Sequence, residues 1–375
     1  MVKKSKKADH ILIITVLLLL TFGIIVLASA STSVPRESFT ETFYFLIHQL
    51  VVGLIPGIVL AFFLARKISL STLQEKAPLL LLINLVLMVM VFLPLIGKRS
   101  GEAARWIELG PLSLQPSEFL KLTFILYLAS WLESKSRKSY SYKSKEQESF
   151  LEKNLIAFLT VIGIVALLLF LQSDISTLGV IAATAGLMYF FAKTPVWHTV
   201  LFLILGILAL VFFVKSAPYR MKRIAVLLDP EIDPMGFGYQ IKQALIAVGS
   251  GKITGLGLGM SKQKLGLLPH PISDSIFAIL AEETGFIGSV VLIILFLVFL
   301  WRGYKIGKED VHMFSRLTAL GITSWIVIQS FINIASMIGI FPLTGIPLPF
   351  ISYGGSALVT ELGAVGVLIN ISKNS

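Results

Sequence analysis

The stretch MVKKSKKADHILIITVLLLLTFGIIVLASAS, residues 1–31, admits two readings, and the choice between them decides the fold. A basic start, an apolar run and a closing Ala-Ser-Ala imitate a secretory signal. The run from Ile11 to Ala30 is long for a signal core, however, and more runs of spanning length follow it. It reads as an uncleaved first transmembrane helix. Counting on from it, apolar windows at about 11–30, 45–65, 78–97, 115–132, 154–172, 176–193, 196–214, 275–301, 314–340 and 353–371 predict ten spans, because roughly 20 consecutive apolar residues cross a bilayer.

Composition agrees with an all-α polytopic membrane protein, a single integral membrane domain over residues 1–375. The chain is 55% hydrophobic and 14% charged, with a mean hydropathy of +0.86, whereas a soluble chain carries roughly 25% charged residues. An even number of spans puts both termini on one side. With that side in the cytoplasm, the inner segments hold the whole formal charge of +11 and the remainder cancels, as the positive-inside rule requires. The basic character therefore calls for no nucleic-acid partner. The chain lacks cysteine, which excludes disulfides and thiolate chemistry. The five histidines (His10, His48, His198, His270 and His312) are scattered without an H-E-x-x-H pattern, which argues against a dedicated zinc site. Residues 135–153, KSRKSYSYKSKEQESFLEK, read as a charged, solvated inner linker.

One expected outer segment, about residues 215–274 between the seventh and eighth spans, is large and breaks the charge bias. It carries Lys215, Arg220, Lys222, Arg223, Lys242, Lys252, Lys262 and Lys264 against Asp229, Glu231, Asp233 and Asp274, net +4. A long loop translocates whatever its charge; alternatively, the bases meet an anionic lipid phosphate or pyrophosphate at the membrane face. Within it, AVGSGKITGLGLGMSKQK (247–264) fits neither G-x-x-x-x-G-K-[ST] nor G-x-G-x-x-G, so a nucleotide site is rejected. Its glycines suit tight turns or close backbone approach.

The remaining charges gather at the membrane margin. In LLPHPISDSIFAILAEETGFIG (267–288), Asp274 stands where a helix begins, placed either to cap it or to act as a base at the surface. Glu282 and Glu283 lie two to three turns deeper, where carboxylates face the bundle interior and pair with a base. Pro116 and Glu118 suit the first turn of the fourth span. Lys121 shares a face with Glu118, and either snorkels, pairs, or meets a substrate phosphate. Arg105 beside Trp106 is an interfacial anchor or an anion clamp, and Asp174 a cap for the sixth span. Gln329 and Asn333, four apart, read as glue between helices.

Five pieces together, ARWIELGPLSLQPSEFLKL, YQIKQALIAVGSG, GLGLGMSKQK, DSIFAILAEETGFIG and FPLTGIPLPFISYGGS, resemble the SEDS (shape, elongation, division and sporulation) family, the RodA and FtsW peptidoglycan polymerases. The GLGLGMSKQK and TGIPLPFISYGGS forms are closer to FtsW. The resemblance implies a peptidoglycan glycosyltransferase at the outer face of the bacterial cytoplasmic membrane, with both termini cytoplasmic. Such an enzyme polymerises lipid II, for septal synthesis on the FtsW likeness. It implies Asp274 as the essential base and Arg105, Glu118, Lys121, Asp174 and Lys264 as substrate-binding positions. It also implies a class B penicillin-binding protein and other divisome proteins as partners, and leaves room for a divalent cation such as magnesium. One departure stands out: the family commonly reads L-P-E-x-H-T-D-F where this chain has LPHPISDS, so Asp274 keeps its place among changed neighbours, His270, Ile272, Ser273 and Ser275. The competing class is a lipid II flippase, which would want polar residues through to the inner side; elongation rather than division is the other alternative.

Overall fold

The computed structural model describes residues 8–32, 43–94, 96–100, 103–110, 112–139, 144–192 and 194–374. Lys3, Lys4, Lys6 and Lys7 of the basic N-terminus, and residues 140–143 of the expected linker, lie outside the described residues. The apolar windows fall largely on helix, although the one at 78–97 leaves its helix at Met90. α1 (His10–Ser31) is followed by α2 (Tyr44–His48), a π-helical turn (Gln49–Leu54) and α3 (Ile55–Arg66), which form one rod, and then by α4 (Leu70–Met90). After a small sheet come α5 (Pro116–Ser139), α6 (Ser144–Leu171), α7 (Ile175–Phe191) and α8 (Val196–Lys215). α9 (Pro218–Leu228) and α10 (Phe237–Ser250) precede three long helices, α11 (Ile276–Glu309), α12 (Met313–Met337) and α13 (Gly355–Asn374).

Among the described residues, seven helical rods are long and apolar enough to cross a membrane by themselves, and Leu155–Leu171 and Ile175–Phe191 are shorter apolar helices. Ile14, Leu17, Leu82, Leu203 and Leu208 point out of the bundle. Helices apolar on every face are stable where lipid surrounds them. This is a multi-pass, all-α membrane protein.

Two segments between the expected spans hold regular structure. The first precedes α5. It is a three-stranded antiparallel sheet of β1 (Gly97–Ser100), β2 (Ala103–Leu109) and β3 (Leu112–Leu114), with β2 central and Ile107 opposite Leu114. Gly110, at φ 64°, makes the turn between β2 and β3. Most of the linker expected at 135–153 is also ordered, because α5 and α6 continue into it as far as Ser139 and from Ser144.

α12 and α13 sit at the centre and α8 at the edge. α13 lies against α3, with contact close enough that a Cβ on Gly366 would stand 2.6 Å from the carbonyl oxygen of Ala61. α11 packs on α12 and α1, and α12 on α5 and α7. At one end of the bundle Arg302 Nε donates to Asp9 Oδ2 at 3.0 Å, the Asp9 N–H to Ser372 Oγ at 3.3 Å, and Asn370 Nδ2 to Leu64 O at 2.6 Å. The first and last described turns of the chain therefore meet at the same end.

At the other end, α11 is broken. Gly285 adopts φ 67°, ψ −163°, which releases the carbonyls of Glu282 and Glu283 and the N–H groups of Phe286 and Ile287 from the helix ladder. Unpaired backbone groups at membrane depth cost several kcal/mol each. Residues 252–257 satisfy them: Leu256 N–H donates to Glu282 O at 3.0 Å and Gly257 N–H to Glu283 O at 3.1 Å. In return, Phe286 N–H donates to Lys252 O at 2.9 Å and Ile287 N–H to Ile253 O at 3.1 Å. Gly255 passes so close that a Cβ would lie 2.1 Å from Glu283 O. The kink and the loop exist because of one another.

Candidate active site

The cap expected of Asp274 is absent. α11 starts at Ile276 with Ser275 in the cap position, and no side chain closes it. The reason lies four residues back: His270, at φ 53°, turns the chain so that Ser273 N–H and Ser275 N–H both donate to its carbonyl, at 3.2 and 3.3 Å. The half-buried carboxylate of Asp274 takes the hydroxyl of Ser273 on Oδ1 at 2.9 Å. Its Oδ2 faces Gly345, where a Cβ would stand 3.9 Å away. Ser275, in the position the SEDS family usually fills with Phe, is fully buried, and its hydroxyl accepts from Gln240 Nε2 at 3.1 Å. That bond pins α10 to the start of α11.

Arg223 of α9 shares this end of the molecule. Its Nη1 donates to Leu343 O at 3.1 Å, and its guanidinium lies 4.7 Å from the centre of the Phe237 ring. Burial pushes its pKa down from the ordinary value; Tyr219 and the Asp274 carboxylate act the other way, and Arg105 and Arg220 add to the lowering. The guanidinium stays charged throughout. Asp274, Arg105 and Arg220 are therefore all within electrostatic reach of Arg223. Two buried polar atoms here, Arg223 Nε and Thr344 Oγ1, have no hydrogen-bond partner among the described residues, an arrangement that leaves donors for an incoming anion. Arg105 comes from β2. Its side chain is 30% exposed, lies 3.9 Å from Asp174 Oδ1, and donates to the carbonyls of Gln172, at 3.2 Å, and Ser173. Asp174 also caps α7 as expected, accepting from Thr177 N–H at 3.4 Å, and takes the Ser117 hydroxyl at 3.1 Å.

The third side of the site is the segment 343–353. It is bonded to the Asp274 turn, Ser352 Oγ donating to Ser273 O at 2.6 Å and Tyr353 N–H to Ile272 O at 2.9 Å. Gln329 Nε2 holds Pro347 O and Asn333 Nδ2 holds Ile346 O, both at 2.9 Å, and Asn333 also reaches Asp274 O at 2.9 Å. Both residues thus tie their helix to a loop, and Gln329 also joins two helices as expected, accepting from Lys121 Nζ of α5 at 3.0 Å. Ser176 Oγ donates to Thr344 O at 2.6 Å. Glu361, 2% exposed in α13, accepts the N–H of Phe350 at 2.8 Å, and Phe350 is one of few non-glycine residues in the left-handed region, at φ 65°. Its carbonyl lies where a Cβ on Gly23 of α1 would come within 2.3 Å.

The two lysines expected at substrate are internal. Lys264 Nζ donates to Glu283 Oε1 at 3.0 Å, Ser29 Oγ at 2.7 Å and Gly259 O at 2.8 Å, which uses all three of its protons. Its side chain is 2% exposed and that of Glu283 0%. Lys121 pairs with Glu118 at 2.7 Å, donates to Gln329 Oε1 at 3.0 Å and lies 5.1 Å from the Trp325 ring centre, at 3% exposure. Glu282 accepts from Lys262 N–H at 3.1 Å, Gln263 N–H at 3.3 Å and the Ser261 hydroxyl. The two glutamates thus anchor the 259–264 loop, Glu283 with the expected base and Glu282 with backbone. Sequence reasoning did not single out Arg223, Thr344 or Glu361. Arg223 was visible only as one of eight bases in a long loop, and nothing local marks it as facing Asp274. Among the described residues no group of three or more His, Asp or Glu gathers to hold a metal ion.

Comparison with known proteins places this geometry. The family model described as cell cycle protein, which covers FtsW, RodA and SpoVE, matches residues 9–375. Stage V sporulation protein E of Bacillus subtilis is 40% identical over 376 residues, covering 100% of both chains. The probable peptidoglycan glycosyltransferase FtsW of Trichlorobacter lovleyi is 37% identical over 97% of this chain and 93% of its own. The crystal structure of the rod shape determining protein RodA of Thermus thermophilus superposes with a TM-score of 0.70 at 26% identity, covering 98% of this chain and 97% of that one. A chain from a peptidoglycan synthase complex in which polymerization and crosslinking are coordinated gives 0.74 at 26% identity, over 98% of each. With its whole described membrane domain matched, and the motif pieces 104–122, 239–251, 255–264, 274–288 and 341–356 converging on one end of the bundle, this chain belongs to the FtsW/RodA/SpoVE, or SEDS, family.

Proposed function

We propose that this protein is a peptidoglycan glycosyltransferase that polymerises lipid II at the outer face of the bacterial cytoplasmic membrane, with Asp274 as general base. The observation that carries the reading is the half-buried Asp274 carboxylate within reach of Arg223, whose buried Nε has no partner among the described residues. The Asp274 end faces outward and the Asp9–Arg302–Ser372 end faces the cytoplasm. The relatives named as probable peptidoglycan glycosyltransferases support the activity.

The chemistry needs few groups. Asp274 takes the proton of the acceptor's 4-hydroxyl as that oxygen attacks the anomeric carbon of the donor. The carbon–oxygen bond to pyrophosphate breaks, the configuration inverts from α to β, and polyprenyl pyrophosphate leaves with the bonding pair. Pyrophosphate is already a good leaving group, so cations replace a second acid. Arg223, Arg220 and Arg105 stabilise the charge it gains. Glu118, Lys121, Asp174 and Lys264 serve the substrate indirectly, by fixing β2, α5, the start of α7 and the 259–264 loop. Magnesium in such chemistry is held by one or two carboxylates with phosphate and water. Asp174 is committed to Arg105 and the α7 cap, so a magnesium ion would rest on Asp274 and the substrate alone.

The partner is a single-span class B penicillin-binding protein, within a larger divisome, which crosslinks the new strands; the likeness to a chain of a synthase complex supports it. Septal division is the process favoured by the FtsW relatives, and a role in sporulation is the second reading, favoured by the 40% identical relative. The test is Asp274→Asn, purified with the cognate partner and given lipid II. The variant should fold and bind substrate yet lose glycan chain formation by at least about 10²-fold, the scale of general-base catalysis. Wild-type ladders from the variant would sink the assignment.

A further inference from the structure

His48 and Gln49 interrupt a run that is otherwise apolar from Phe45 to Ala65. Polar side chains inside a span are costly, and they point into the bundle to meet partners. Both lie where α2 passes into the π-helical turn, and Gln49 is 5% exposed. The turn has a cause in the sequence. Pro56, in the first turn of α3, has no N–H to give the Val52 carbonyl. The ladder widens there, and Ile55 N–H donates to Leu50 O, five residues back.

At this turn both polar side chains face the 352–354 backbone. Gln49 uses both ends of its amide: Nε2 donates to Ser352 O at 3.3 Å, and Oε1 accepts the Gly354 N–H at 2.9 Å. Glycine permits the approach, since a Cβ on Gly53 would stand 3.4 Å from Gly355 Cα. His48 Nδ1 and the Tyr353 hydroxyl are 3.0 Å apart, and the Tyr353 ring meets Phe45 edge-on at 5.2 Å. Burial, with Tyr44 adding to it, pushes the Tyr353 pKa up to about 12. The phenol therefore keeps its proton and donates, and His48 accepts.

The residues gripped in this way are the ones that hold the Asp274 turn. Ser352 Oγ donates to Ser273 O at 2.6 Å and accepts from Leu348 N–H at 2.7 Å, while Tyr353 N–H donates to Ile272 O at 2.9 Å. Two short chains of bonds thus run from the second rod to the two residues before Asp274. One passes through Ser352, the other through Tyr353.

We propose that Gln49 and His48 are positioning residues for polymerisation: they fix the 352–354 backbone, which fixes the turn that presents the Asp274 carboxylate. The proposal rests on the polymerase reading above. It is tested with the full-length protein, its partner and lipid II, on variants matched in yield and unfolding temperature. Tyr353→Phe removes one oxygen, and His48→Ala removes the acceptor it binds. Each should lower kcat about tenfold, the scale of a small misplacement of a reacting group, with KM changed less than twofold. Combined, they should lose no more than His48→Ala alone, because both cut one link. His48→Asn, which offers a carbonyl oxygen in place of Nδ1, should regain most of the rate. Gln49→Leu should lower kcat in the same way, and its Gly354 amide proton should exchange with solvent faster than in wild type. If Gln49→Leu fails to fold, Tyr353→Phe alone decides. Wild-type kcat in Tyr353→Phe, losses that add in the double variant, or His48→Asn as poor as His48→Ala overturn the proposal. So does a tenfold rise in KM at unchanged kcat, which would place these side chains against substrate. Wild-type ladders from Asp274→Asn defeat the polymerase base itself, whereas an inactive Asp274→Asn beside a fully active Tyr353→Phe defeats the positioning role alone.

Discussion

Charged residues in this protein fall into two kinds, and hydrogen-bond saturation separates them. Lys264 spends its three protons on Glu283, Ser29 and Gly259, and Lys121 is enclosed by Glu118, Gln329 and Trp325. Arg223 and Arg105 lean on carbonyl oxygens and rings at the Asp274 end, and Arg223 Nε has no partner among the described residues. The distinction can be measured. Removing one member of a buried pair strands the other, at a cost of about 3–5 kcal/mol, whereas replacing both with apolar residues is often neutral. Lys264→Met should therefore lower the unfolding temperature in detergent sharply, and Lys264→Met with Glu283→Met should recover most of it together with polymerisation. If the double variant regains stability but stays inactive, Lys264 itself meets substrate. Arg223→Gln should give the converse: near-wild-type unfolding temperature, with polymerisation reduced by a few kcal/mol of barrier. An unchanged rate would remove Arg223 from the site. Identifying these residues as charges at the margin needed only the sequence. Sorting them did not, because saturation depends on Ser29, Gly259 and Gln329, which are brought in by other elements.

The elements show the same boundary at larger size. Apolar windows locate the membrane helices because burial in lipid imposes one rule on every residue of a span. They say nothing of the break in α11: the window 275–301 reads as one straight span, and Gly285 looks like any helical glycine. The break is stable only because residues 252–257, some thirty positions earlier, supply the missing bonds. Similarly, Asp274 stands where a cap belongs, and only the left-handed turn at His270 directs its carboxylate elsewhere. The 343–353 segment is held in the same non-local way, at its tip by the Glu361 carboxylate on the Phe350 N–H. A non-glycine residue in the left-handed region costs about 1–3 kcal/mol and persists only where its surroundings fix it. Glu361→Gln keeps an acceptor for that N–H and should retain most activity. Glu361→Ala removes it and should lower turnover about tenfold or more through misplacement of Thr344 and Gly345. Measured at equal yield and equal unfolding temperature, a Gln variant as poor as the Ala variant would end this positioning role.

For the whole molecule, the decisive property is that its two ends differ. One gathers Asp9, Arg302, Leu64, Asn370 and Ser372, the other Asp274, Arg223, Arg105 and the 343–353 segment. On the reading proposed above, positive-inside bias puts the first in the cytoplasm. A flippase needs a route for a charged headgroup from that end to the other, yet the buried lysines are already paired: Lys121 with Glu118, Lys264 with Glu283. The centre is filled by Trp325, Phe296 and Phe299, all fully buried. Moving pyrophosphate past them would break ion pairs whose loss costs about 3–5 kcal/mol each, whereas chemistry at the second end disturbs none. Liposomes carrying labelled lipid II in the inner leaflet alone discriminate the two cases. With the protein oriented by its charge bias and its partner present, no label should appear outside and no polymer should form. The same preparation given lipid II in the outer leaflet should polymerise it, and Asp274→Asn should abolish that polymerisation. Should wild type and Asp274→Asn alike bring the inner label to the outside, with neither making polymer from the outer pool, the molecule is a transporter and its outer arginines are an exit.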